Sequence, residues 1–249
     1  VFEQAYEHFF VVGFQRCGTT LLAELLDAHP EIDMIRPLRP EPKHFLSDDA
    51  TVDPVAYRRR WFGSHPSQRV LGEKSTSYVE HPSVLDRIHE ALPGARFLVL
   101  LRDPVLRAVS HYRFSRQNGY EDLPVDKALT EEAERRTWDP KATSVSPHAY
   151  LSRGRYVERL RPWLEATGDR TQVLVLEELI EGTGELDRAW RHLGVDVVAP
   201  TRSPLPRYNA SEDVGDVPPG VWSMLTEAYE EPNRQLFELL GRPLGRWKG

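Results

Sequence analysis

An apolar run near the start of the chain, Phe9-Phe10-Val11-Val12, breaks into Gly13-Phe14-Gln15-Arg16-Cys17-Gly18-Thr19-Thr20 and passes directly into an amphipathic stretch at residues 21–28. That order predicts a strand, a glycine loop and a helix, with Gly13 and Gly18 spaced as in a P-loop. Backbone N–H groups at a helix N-terminus, with two hydroxyls beside them, form a cradle for a phosphate. Where an NTP-hydrolysing P-loop carries its lysine this chain has Thr19, and the cation stands inside the loop at Arg16. The group that reaches the β- and γ-phosphates of ATP or GTP is therefore missing, so the expected ligand is a different phosphate compound. Glycine–threonine turns also serve as plain strand-to-helix connections, and the loop has to be read with the rest of the chain.

Downstream, strand and helix patterns alternate. Residues 32–43 are rich in proline and charge and read as a loop, and residues 53–62 read as a helix. A short strand at residues 69–72 leads into Glu73-Lys74-Ser75-Thr76-Ser77-Tyr78. Pro82 opens a helix in which Val84, Leu85, Ile88 and Leu92 recur at helical spacing until Pro93-Gly94. Residues 97–101 are continuously apolar, the pattern of a strand buried on both faces in a parallel sheet. Arg102-Asp103-Pro104 closes that strand and opens a helix, with Asp103 as N-cap and Pro104 in the first helical position. Helices are expected at residues 125–136, 156–165, 184–193 and 221–240, a strand at 172–176, and a proline-rich loop at 200–219. The alternation predicts an α/β fold: one domain over residues 1–249, with a central parallel sheet flanked by helices. In such sheets ligands sit at the carboxyl ends of the strands, which puts the loops after Val12 and Leu101 on one functional edge.

Composition narrows the function. With 249 residues the chain is long enough for one large core, and no linker, low-complexity tract or repeat marks a boundary. A net charge of −6 argues against a nucleic-acid binder, so basic residues must act locally. The single cysteine, Cys17, excludes an intrachain disulfide and a cysteine-rich metal site. No His-Asn or His-Asp pattern accompanies it, and it reads as a small residue packed in the loop rather than a nucleophile. There is no run of about 18 apolar residues and no signal-peptide pattern, which predicts a soluble, cytoplasmic protein with no membrane partner.

The combination of Gln15-Arg16-Cys17-Gly18-Thr19-Thr20, then Glu73-Lys74-Ser75, then Arg102-Asp103-Pro104 with Arg107, Ser110 and Tyr112 resembles the sulfotransferases that use 3′-phosphoadenosine 5′-phosphosulfate. Within them it is most similar to the branch of heparan sulfate N- and O-sulfotransferases and their bacterial relatives. The resemblance implies that Arg16, Cys17, Gly18, Thr19 and Thr20 hold the 5′-phosphosulfate and that Arg102 and Ser110 hold the 3′-phosphate. Tyr208 and Asn209 are the best match to the nucleotide-binding loop before the last helix. Tyr229, Asn233 and residues 236–241 resemble the family's terminal helix. Two departures stand out: Arg16 replaces the lysine of several heparan-type members, and the family's disulfide near the C-terminus cannot form.

The implied reaction sends an acceptor hydroxyl or amine, on a glycan or a small molecule, against sulfur in line with the departing phosphate. Arg16 and Lys74 are the cations expected to stabilise charge growing on the bridging oxygen, with no metal required. In Glu41-Pro42-Lys43-His44-Phe45, Glu41 matches the heparan-type base, and His44 is the rival because cytosolic small-molecule sulfotransferases use histidine. Plainer readings stand beside these: Lys74 in a surface ion pair with Glu73, Glu41 as a solvated loop carboxylate, His44 as a core residue. Residues 58–60 with Arg113 and Arg116 read either as an acceptor groove or as solvated helix faces, and Trp61, Trp138 and Tyr150 as an acceptor pocket or as core. Two other functions compete. A P-loop kinase or nucleotidase would need Asp103 to hold Mg²⁺. A non-catalytic nucleotide-binding domain would turn the Glu41 and Lys74 segments away from the cradle.

Overall fold

A computed structural model describes residues 6–47, 52–64, 66–135, 144–198, 217–245 and 247. Five strands, β1 (Glu7–Gly13), β2 (Ile32–Met34), β3 (Val70–Lys74), β4 (Arg96–Leu101) and β5 (Thr171–Val175), form one sheet in the order β2-β3-β1-β4-β5. Every neighbouring pair is parallel. The helices among the described residues are α1 (Thr19–Asp27), α2 (Pro54–Phe62), α3 (Pro82–Ala91), α4 (Pro104–Gln117), α5 (Val125–Thr130), α6 (Tyr156–Thr167), α7 (Leu176–Glu181), α8 (Glu185–Leu193) and α9 (Pro219–Leu240). The α/β class with a central parallel sheet flanked by helices is as the sequence predicts.

Contacts divide the chain into two compact units: Val1–Leu101 with Trp163–Tyr208, and Arg102–Pro162 with Asn209–Gly249. The first holds the whole sheet. Side chains alternate along its central strand, so Phe9 and Val11 join Leu22, Leu26 and Trp190 in one core layer. Phe10 faces the other way, among Phe45, Tyr57, Tyr78 and Phe97. Gly72 of β3 lies on the Phe9 side, where a Cβ would run into Phe9 and Met34, so no larger residue fits. In the second unit, Ala108, Val109 and Tyr112 of α4 pack with Val125 and Leu129 of α5 and with Leu225 and Tyr229 of α9. Asp103 caps α4, its Oδ1 accepting from Val105 N at 2.8 Å and Leu106 N at 3.1 Å.

Four local expectations differ from what the chain does. The strand expected at residues 69–72 runs from Val70 to Lys74, which takes Glu73 and Lys74 into the sheet. The loop expected at residues 32–43 begins with β2, which pairs Ile32–Met34 against Val70–Gly72; three residues are enough because Ile32 and Met34 both point into the core. The helix expected to Arg136 stops at Thr130 and continues as a 3₁₀ turn, Glu132–Arg135. There Glu132 is buried and accepts from Ser152 N at 2.9 Å, a bond that ties the turn to the segment 20 residues on. Leu176, expected as the last strand residue, starts α7 instead, because Leu176 and Leu179 are buried one helical turn apart.

His8, on β1, packs against Tyr57 and Phe62, and its Nε2 is buried without a hydrogen-bond partner among the described residues. Burial, with Arg58 nearby, pushes its pKa down to about 4 from 6.5. The unfolded chain therefore binds this proton below pH 6.5 while the native state refuses it until about 4. Stability supplied by His8 is complete above pH 6.5 and is lost as pH falls through that window, by about 3 kcal/mol. Urea unfolding of the wild type and His8→Leu across this range checks it: the variant's stability should fall less by that amount.

Candidate active site

The glycine loop leaves β1 at its carboxyl end, where Phe14 N donates to the Leu100 carbonyl at 3.1 Å. Cys17 N turns back to the Phe14 carbonyl at 3.2 Å. Two residues of this turn are left-handed, Arg16 with φ 69° and Gly18 with φ 82°. For a non-glycine residue this conformation costs roughly 1–2 kcal/mol, so the fold holds the arginine's backbone in place against its own preference. Gly18 is the N-cap of α1, which carries no acidic residue in its first turn. The positive end of the helix dipole and its first N–H groups thus remain suited to an anion. Cys17 is fully buried, consistent with a packing residue. Thr19 is buried in the first turn, and Thr20 Oγ1 accepts a hydrogen bond from Arg39 Nη2 at 3.3 Å.

The neighbouring strand supplies the second half. Val11 of β1 pairs with Lys74, the last residue of β3, so Lys74 lies at the same sheet edge as the loop. Its side chain is 3% exposed, and Nζ stands 2.5 Å from Glu41 Oε1. Thr76 closes around the same carboxylate, its N–H 3.1 Å from Oε2 and its hydroxyl 2.9 Å from Oε1. Burial holds the Lys74 pKa below the usual lysine value. Glu41 pulls it upward, and Arg39 and Lys43 push it further down. Lys74 does not pair with Glu73, because adjacent strand residues point to opposite faces. Glu73 is fully buried on the other face, accepting from Tyr57 OH at 2.7 Å, Ser75 Oγ at 2.6 Å and Tyr78 OH at 2.5 Å. Burial raises its pKa and the three hydroxyls oppose that rise.

His44 opens a short 3₁₀ turn, His44–Leu46, and is buried among rings, 4.8 Å from Phe45, 5.0 Å from Tyr57 and 6.2 Å from Trp61. Of the two base candidates, Glu41 is therefore the one gathered with Lys74. In the second unit, the Arg102 carbonyl accepts from Tyr156 OH at 2.7 Å, and Ser110 is buried within α4. Tyr150 is core: its hydroxyl donates to Glu121 at 2.8 Å. Arg58 and Arg60 lie over the rings of Tyr6 and Trp61 at 4.7 and 5.1 Å. Tyr208, Asn209 and Trp138 fall outside the described residues. Among the described residues no three His, Cys, Asp or Glu gather as metal ligands.

Thr76 as a clamp on Glu41, and Arg39 on Thr20, are contacts that the amino-acid sequence alone does not announce. Glu73 and Lys74 are separated by strand alternation because β3 extends to Lys74 rather than ending at residue 72. Nothing local in the sequence signals that residue 41 returns to residues 74 and 76.

The Sulfotransferase domain family matches residues 6–185, well over half of the chain. Heparan sulfate glucosamine 3-O-sulfotransferase 3B1 of Homo sapiens is 29% identical over 188 residues, covering 74% of this chain and 45% of that protein. The chain spans less than two thirds of the length of the curated relatives it matches. A sulfotransferase from Alicyclobacillus acidocaldarius has the same fold, with TM-score 0.75, 25% identity and coverage of 98% of this chain and 99% of that one. Mouse sulfotransferase SULT7A1 complexed with PAP shares the fold at 15% identity, with TM-score 0.56 over 94% of this chain and 88% of that one. With the family matched across well over half of its length, the chain belongs to the sulfotransferase family.

Proposed function

We propose that the protein transfers a sulfuryl group from 3′-phosphoadenosine 5′-phosphosulfate to a hydroxyl or amine of a glycan or small-molecule acceptor by in-line displacement. The observation that carries this reading is the Glu41–Lys74 pair, 2.5 Å apart at the sheet edge where the glycine loop begins. A carboxylate fixed beside a buried ammonium is a proton acceptor next to a charge stabiliser. Glu41 takes the proton as the acceptor's oxygen or nitrogen bonds to sulfur. The bond from sulfur to the bridging oxygen breaks, and its electron pair leaves with adenosine 3′,5′-bisphosphate. Lys74 and Arg16 act on the negative charge that grows on that oxygen. A guanidinium does not give up its proton, so the role of Arg16 is electrostatic alone.

The donor set fits a phosphosulfate: two hydroxyls at the start of α1, a left-handed Gly18 N-cap, no first-turn acid, and cations at Arg16, Arg39, Lys43 and Lys74. Arg102 and Ser110 are proposed for the 3′-phosphate on the resemblance, as are Tyr208 and Asn209 for the nucleotide. A kinase reading is disfavoured by the family match, and Asp103, its candidate Mg²⁺ ligand, is engaged as a helix cap. The convergence of Glu41 with Lys74, and of Arg39 with Thr20 of the loop, counts against a domain that only binds a nucleotide.

Calorimetry tests the donor. Adenosine 3′,5′-bisphosphate should bind more tightly than ATP by roughly 30-fold or more, the worth of one charge-assisted phosphate contact of about 2 kcal/mol. Equal or tighter ATP binding would overturn the reading. Radiolabelled donor offered to desulfated heparan oligosaccharides, phenols and hydroxylated small molecules then identifies the acceptor class.

A further inference from the structure

Glu73 has no part in the transfer as proposed, yet a fully buried carboxylate is costly to keep unless it is held by donors. Its three donors are not equivalent. Ser75 Oγ donates to Glu73 and accepts from Lys43 N at 3.0 Å; Tyr78 OH donates to Glu73 and accepts from Phe45 N at 2.9 Å. Tyr57 OH contributes only its own bond to the other carboxylate oxygen. Two chains therefore run from backbone N–H through a hydroxyl to the carboxylate. Their direction is set because the N–H can only donate and the carboxylate only accept. Both chains begin in the turn that follows Glu41, where Lys43 has a left-handed φ of 49°. A non-glycine residue keeps that conformation only when its surroundings impose it.

We propose that Glu73 is a positioning residue: acting through Ser75 and Tyr78, it pins the turn at residues 43–45 and so fixes Glu41 against Lys74. The proposal rests on Glu41 being the base. Strand β3 then carries the cation of the site on one face and the anchor of the base-bearing loop on the other, and the two cannot move apart.

Four variants test this: Ser75→Ala, Tyr78→Phe, Glu73→Leu and, as control, Tyr57→Phe, which removes a bond to the same carboxylate but no link to the turn. Amide hydrogen exchange should quicken by about tenfold or more at Lys43 in Ser75→Ala, at Phe45 in Tyr78→Phe, and at both in Glu73→Leu, with neither affected in Tyr57→Phe. Release of labelled sulfate from 3′-phosphoadenosine 5′-phosphosulfate, with water as acceptor, should slow by about tenfold or more in Ser75→Ala and Tyr78→Phe. Affinity for adenosine 3′,5′-bisphosphate should stay within about twofold, and neither substitution should cost more once Glu41→Gln is present. Unchanged exchange at both amides, an equal loss in Tyr57→Phe, or a full further loss in the Glu41→Gln background would overturn it. If Glu73→Leu does not fold, the two hydroxyl variants decide. If Glu41→Gln itself releases sulfate normally, the base assignment fails, while the exchange pattern still decides whether Glu73 anchors the turn.

Discussion

Glu41→Gln should lower the single-turnover rate by roughly 10²–10⁴-fold while leaving affinity for adenosine 3′,5′-bisphosphate nearly unchanged. The amide keeps the size of the side chain and most of its bonding to Thr76, whose N–H and hydroxyl lie within 3.1 Å of the carboxylate. What it loses is the capacity to accept the acceptor's proton at neutral pH. His44→Ala should be the milder change, because His44 sits among Phe45, Tyr57 and Trp61, where truncation disturbs packing. Rapid-quench transfer and calorimetry on both variants decide the matter. A normal rate in Glu41→Gln together with an inert His44→Ala would move the base to His44 and leave the family assignment standing.

Removing the ammonium should be nearly as damaging. Lys74→Met is expected to lower the rate by roughly 10²–10³-fold, the loss typical of one preorganised group facing charge that develops in the transition state. It also strands the Glu41 carboxylate. Breaking one side of a buried pair costs about 3–5 kcal/mol, and the Thr76 bonds and residual exposure of Glu41 keep the cost at the lower end. The double variant with Glu41→Gln should therefore recover stability without recovering activity, which separates a folding defect from a chemical one. In the wild type, burial lowers the Lys74 pKa, so the ammonium is lost at a lower pH than for an ordinary lysine at 10.5. The alkaline fall in rate should accordingly begin below that value and shift upward in Lys74→Arg. Rate–pH profiles of the two proteins check this.

How much of this was legible in the sequence depends on how local the cause is. The glycine loop and the start of α4 were readable because a strand's apolar run, a left-handed glycine and an Asp-Pro cap act within a few residues of themselves. Strand β2 was hidden because three residues among prolines carry almost no periodic signal. The pairing of Glu41 with Lys74 spans 33 positions, and no propensity or spacing rule reaches that far; only the resemblance brings both residues to one reaction centre, without implying their direct contact. Thr76 was invisible as a clamp for the same reason. The plainer reading, Lys74 paired with Glu73, fails because β3 runs two residues beyond the expected end at residue 72, and strand alternation then turns the two side chains to opposite faces.

That alternation means β3 works by parity. Even positions 70, 72 and 74 look toward Phe9 and the loop; odd positions 71 and 73 look toward the tyrosines. A slip of one residue would leave the composition untouched and exchange the two functions, seating the ammonium among phenols and aiming a carboxylate at an anionic donor. The tight approach at Gly72 guards against this, since any side chain brought to that place collides with Phe9 and Met34. An insertion or deletion in this five-residue strand should therefore be worse for catalysis than most substitutions within it.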